Sequence, residues 1–130
     1  MTDRSVLLAA GLLGVTGVAL GALGAHALKA QLLERGMSAA WETAARYHIV
    51  HAVALVGFAG WLRSQPAAKP RQIERWTSLC WIVGTCLFSG SIYLLAVGGP
   101  RWLGPITPLG GIALMIGWSL LIVRAVKREP

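Results

Sequence analysis

The sequence predicts an all-α, polytopic membrane protein: a four-helix transmembrane bundle with both termini cytoplasmic. Three observations carry that expectation. Hydrophobic residues make up 55% of the 130-residue chain and charged residues only 13%, against roughly 25% charged in a typical soluble domain. The apolar residues fall into four long runs. The Lys and Arg residues sit between and at the ends of those runs, and unevenly so. A single soluble core of this size has no interior for that much apolar surface, whereas a bilayer does. The whole chain, residues 1–130, reads as one transmembrane domain.

The first span is expected over Ser5–Leu28. Its apolar stretch is longer than the 7–15 residues of a signal-peptide core, so it reads as a true span despite the A-x-A-like "AHA" at Ala25–Ala27. Gly14, Gly17, Gly21 and Gly24 recur every three or four residues, with Gly11 before them, and share one broad helical face. In lipid, small residues let neighbouring backbones approach closely. A tight helix contact within the chain is expected there.

The second span is expected over Ala45–Leu62. Its uncharged part, Tyr47–Leu62, is short for a crossing of about 20 residues. It can lengthen backwards through "SAAWETAAR", with Ser38 as N-cap and a Glu42–Arg46 pair one turn apart. The third span, Trp76–Val97, is long enough alone. Cys80 and Cys86 lie within it, about 9 Å apart along the axis and on different faces, so they read as small buried residues. The fourth, Ile106–Arg124, opens with Thr107 as cap and Pro108 at the first helical position. Gly110 and Gly111 give it a close-packing face.

Orientation follows from the basic residues. With four spans both termini share a side, and that side holds Arg4, Arg63, Lys69, Arg71, Arg75, Arg124, Lys127 and Arg128. The opposite side holds Lys29, Arg35, Arg46 and Arg101. The positive-inside rule places the richer side in the cytoplasm. A net charge of +7 therefore reads as topology control and affinity for anionic headgroups, not as nucleic-acid binding. Trp61 and Trp76 are expected at the inner interface, with Trp41, Tyr47 and Trp102 at the outer one.

The chemistry-bearing residues are few. His26 ends the first span, and His48 and His51 share a helical face at the start of the second. Tyr93 nears the end of the third and Thr107 opens the fourth. On this reading His26, His48, His51, Tyr93 and Thr107 form one polar cluster near the outer leaflet. Three uses compete. The imidazoles are structural, bonded to Tyr93, Thr107 or backbone carbonyls. Alternatively, His26, His48 and His51 hold a metal or haem, as a three-histidine zinc site would. In the third, they pass protons or line a small-molecule path. The first is favoured, because polar groups in membranes so often serve as packing contacts, and no cofactor is expected. None of the five carboxylates falls within an expected span, and no nucleophile or phosphate motif is present. An accessory or interaction protein, with lipid and a membrane-protein partner or second copy as its contacts, is favoured over an enzyme.

Four ordered motifs carry a family resemblance: "GALGAHAL" (Gly21–Leu28), "WETAARYHIVHA" (Trp41–Ala52), "LFSGSIYLLAVGG" (Leu87–Gly99) and "ITPLGGIALMIGW" (Ile106–Trp118). The chain resembles the small inner-membrane proteins of the YgdD and YwdK type, domain of unknown function 423, whose eukaryotic relative is transmembrane protein 256. The resemblance implies a four-helix membrane protein and leaves its biochemical role unassigned.

Overall fold

The computed structural model describes residues 1–65 and 72–127. Lys69, Arg71 and Arg128, part of the basic count above, lie outside the described residues. Among the described residues five α-helices and one 3₁₀ turn follow in order: α1 (Asp3–Ala25), α2 (Lys29–Glu34), α3 (Ser38–Ser64), α4 (Gln72–Ala96), the turn Arg101–Leu103, and α5 (Ile106–Val126).

α1 starts on a capping box. The Ser5 backbone N–H donates to Thr2 Oγ1 at 3.2 Å, and the Thr2 N–H donates to Ser5 Oγ at 2.9 Å, which satisfies two of the orphan donors at a helix start. α3 begins at Ser38, with Met37 in the cap position and no side-chain cap bond, so Ser38 is its first residue and not its N-cap. α5 likewise follows Pro105 without a side-chain cap. Thr107 sits inside it, and its hydroxyl is used elsewhere. The Glu42–Arg46 pair does not form among the described residues. Both side chains are exposed, where such a pair contributes little.

The main contacts are α1 with α3, α3 with α4, and α4 with α5. Each pair is antiparallel. Thr16 of α1 meets His48 of α3 while Leu20, further along α1, meets Trp41, earlier in α3. Glu74 meets Arg124 at one end of the α4–α5 pair and Ser91 meets Thr107 at the other. The core lies where α3 and α4 face each other and their neighbours, around Leu55, Phe58, Trp81 and Leu114 at one end and Trp41, Ala44, Tyr93 and Ala96 at the other.

Close approach depends on particular glycines. A Cβ built on Gly110 would strike the backbone nitrogen of Phe88, and one on Gly24 the Trp41 indole. At Gly17 it would lie 2.7 Å from Ile49 Cδ1. Gly14 and Gly21 face open space, and Gly111 makes only ordinary contact with the Phe88 ring. Gly84 and Gly117, not singled out by their spacing, are as tightly placed against Leu114 and Trp81.

By length and composition three segments of the described residues suffice to cross a membrane: α1, α4 and Arg101–Val126. α3 is the longest helix, yet it carries Glu42 and Arg46 in its first three turns and two histidines after them. Both histidines are buried along with Trp41, Ala44, Leu55 and Leu62, while Tyr47, Val50, Val53 and Val56 stay exposed. The helices also run past the expected spans. Glu74 accordingly falls within α4, buried and ion-paired with Arg124 at 2.6 Å, where sequence reading had left every carboxylate outside a span.

Candidate functional site

α3 presents the two histidines at positions i and i+3, so their side chains point about 60° apart around the axis. That offset aims them at different neighbours. His48, 6% exposed, reaches α1 and α4: its Nε2 lies 3.2 Å from Thr16 Oγ1 and its Nδ1 lies 3.3 Å from Tyr93 Oη. His51, 3% exposed, reaches α5: the Trp118 indole donates to its Nε2 at 3.1 Å, while its Nδ1 lies 2.8 Å from the Tyr47 carbonyl.

These partners assign the tautomers. An indole N–H only donates, so His51 Nε2 is an unprotonated acceptor and the proton sits on Nδ1, donating to the Tyr47 carbonyl. For His48 the deciding partner is Thr16. Its single hydroxyl hydrogen is directed to the Leu12 carbonyl at 2.8 Å, so Thr16 Oγ1 accepts from His48 Nε2–H and Tyr93 donates to Nδ1. Both imidazoles are neutral and of opposite tautomer. All four ring nitrogens are engaged.

The remaining residues of the expected cluster lie elsewhere. Thr107 Oγ1 bonds to Ser91 Oγ at 2.7 Å, tying α5 to α4. His26 ends α1, is exposed, and its side chain has no hydrogen-bonding or ionic partner among the described residues. It lies ten residues beyond Thr16, about 15 Å along the helix. The reason is the length of α3: because this helix begins at Ser38, His48 is ten residues into it and His51 is its midpoint. The pair therefore sits near mid-helix and not at the end. Among the described residues no three His, Cys, Asp or Glu side chains converge to hold a metal ion, so His26, His48 and His51 do not form one ligand set. Cys80 and Cys86 are free thiols.

Several bonding residues escaped sequence reading. Trp41, expected at the outer interface, is 3% exposed and donates to the Leu20 carbonyl of α1 at 2.9 Å. Ser89 of α4 donates to the Ala44 carbonyl of α3 at 2.8 Å. Thr16 and Trp118 complete the histidine network. Trp76 and Trp102 do behave as surface aromatics, 55% and 66% exposed. Among the described residues only the indole nitrogen of Trp81 is a buried side-chain polar atom with no partner, in a ring tilted by 53° against Trp118 with centroids 4.6 Å apart.

A sequence profile described as "Protein of unknown function (DUF423)" matches residues 20–111. The chain belongs to this family. It is 37% identical over 133 residues to the UPF0382 inner membrane protein YgdD of Escherichia coli, covering 98% of this chain and 93% of that protein. It is 40% identical over 114 residues to the UPF0382 membrane protein YwdK of Bacillus subtilis, covering 85% and 86% of the two. A UPF0382 membrane protein of Schizosaccharomyces pombe is 36% identical over 119 residues, covering 88% and 95%. No solved structure matches. Family membership and the three apolar helices together make this a multi-pass inner-membrane protein. The matched stretch contains His48, His51 and Tyr93 but stops before Trp118.

Proposed function

We propose that this protein is a non-enzymatic accessory or interaction subunit of the inner membrane, built on four spans with both termini cytoplasmic. One observation carries the reading. Both nitrogens of both buried histidines are engaged by Thr16, Tyr93, Tyr47 and Trp118, so these side chains join helices and leave no lone pair for a ligand. Metal, haem or proton handling at the histidines would need at least one of these bonds to open. The outward faces of α1 and α5 remain apolar and uncovered within the chain, with Leu8 66%, Val15 73% and Ile122 65% exposed. They are surfaces for lipid or for a partner helix. The fourth crossing is supported by α3 running antiparallel to α1 along its length, and the orientation by the excess of basic residues on one side.

Affinity purification from native membranes in mild detergent tests the proposal, combined with elemental analysis and a visible spectrum. A partner protein at fixed stoichiometry is expected, with no metal and no haem absorption. A protein that purifies alone overturns the accessory role. Stoichiometric metal or haem would restore the histidine-site reading in its place.

A further inference from the structure

α3 and α5 both pack on α4 but share no extensive contact with each other. A groove therefore runs between them with α4 as its floor. The Trp118–His51 hydrogen bond crosses this groove and divides it into two recesses, each bordered by Trp118. The recess toward the C-terminal end of α5 encloses about 480 Å³, within the usual range for a small-molecule site. Phe58 and Trp61 line it from α3, Trp81 from α4, and Trp118 and Leu121 from α5.

Its far end is cationic. Arg124 is held there from two sides: its Nε donates to Glu74 Oε1 at 2.6 Å, and its guanidinium lies 5.5 Å from the Trp61 ring centre. Glu74 offsets the charge of Arg124. Lys127, exposed and without a carboxylate partner among the described residues, adds a second cation at the mouth. The Trp61 indole N–H, a donor only, also has no partner among the described residues.

An aromatic trough formed by three helices, ending in a cation and an indole donor, is amphipathic in the sense that a membrane lipid is. Basic pockets between transmembrane helices take lipid headgroups, and indoles favour the headgroup level. We propose that this recess binds one anionic phospholipid, an acyl chain lying along Gly57, Trp118 and Leu121 and the phosphate at Lys127. A neutral apolar ligand would leave the cation unused. The proposal rests on the membrane placement of α4 and α5, and it stands whether or not the accessory role holds.

Tryptophan quenching by acyl-brominated lipid tests it. Three of the six tryptophans border the recess, and replacing the exposed Trp76 and Trp102 by Phe lowers the signal from the general lipid contact. The protein is reconstituted in phosphatidylcholine vesicles containing a small fraction of either brominated phosphatidylglycerol or brominated phosphatidylcholine. Phosphatidylglycerol should be the more effective quencher by about fivefold, the enrichment one cation gives for an anionic lipid. K127Q should bring the two lipids level. Gly57→Leu should do the same by filling the recess, since Gly57 lines it and a Cβ there meets nothing within 4 Å. Equal quenching by the two lipids in the unaltered recess overturns the proposal, as does a preference that survives both substitutions. A protein helix crosslinked to Gly57→Cys in native membranes would also overturn it, because the recess would then be occupied by a partner chain.

Discussion

His51 shows what a polar residue does in the middle of a membrane helix. Its ring accepts from Trp118 on one side and donates to the Tyr47 carbonyl on the other, so one side chain satisfies two polar groups that lipid cannot. His51→Ala removes the acceptor and leaves a void beneath Trp118. A loss of about 1 kcal/mol is expected for the bond, since interhelical hydrogen bonds in membranes average near 0.6 and reach about 1.7, with a further cavity contribution. His51→Gln offers a carbonyl and an amide in one side chain and should recover most of the loss. His51→Phe fills the volume without an acceptor and should not. Unfolding in mixed detergent micelles, followed by circular dichroism, ranks the three. Equal stability of the Phe variant and the parent would show that the ring's shape, and not its hydrogen bonds, is what α3 requires.

The helices themselves were legible because a long apolar run has few alternatives, but their partners were not. Spacing along one helix tells which residues share a face and says nothing of which neighbour that face meets. Thr16 and Trp118 carry no spacing signal that ties them to the histidines, yet they complete the histidine network. Trp41 resembled a belt residue and is instead a core residue fixed to a carbonyl. The backward extension of the second span through "SAAWETAAR" was legible, since α3 does begin at Ser38, but not that it would set the two histidines at mid-helix. The glycines give a sharp test at this scale. Gly14, Gly17, Gly21, Gly24, Gly110 and Gly111 look equivalent in sequence and differ in what surrounds them. Gly110→Ala meets the rigid backbone of α4 and should destabilise by roughly 1–3 kcal/mol, as overpacking does. Gly14→Ala and Gly21→Ala enter open space and should be neutral or stabilising, because Ala favours the helix by up to about 1 kcal/mol. Thermal unfolding of the purified variants in one detergent measures the split. A uniform response across these positions would mean that the α4–α5 contact is looser than the Gly110–Phe88 approach requires.

For the whole molecule the open question is α3, since by its own composition it is not apolar enough to be counted among the crossing helices. The packing answers why it need not be. A charged residue at the centre of a lone membrane helix costs about 3 kcal/mol on insertion scales, but Glu42 and Arg46 occupy only the first three turns, within reach of the interface. The two histidines further in are neutral and bonded. α1 and α4 cover one side of it, and at mid-helix the side left open is apolar, with Val50, Val53 and Val56 exposed. From Ala39 to Ser64 is a rise of about 38 Å, more than the roughly 30 Å of a hydrocarbon core. Both residues are exposed. In a background with Cys80 and Cys86 replaced by Ala, Ala39→Cys and Ser64→Cys should therefore label from opposite sides. With both termini cytoplasmic, a membrane-impermeant maleimide added to right-side-out vesicles should modify Ala39→Cys at once. Ser64→Cys should react only after the vesicles are opened. The reverse order would keep the crossing and invert the orientation. Reaction of both from one side would mean that α3 enters the bilayer without traversing it, and the antiparallel α1–α3 packing could not then exist in the membrane.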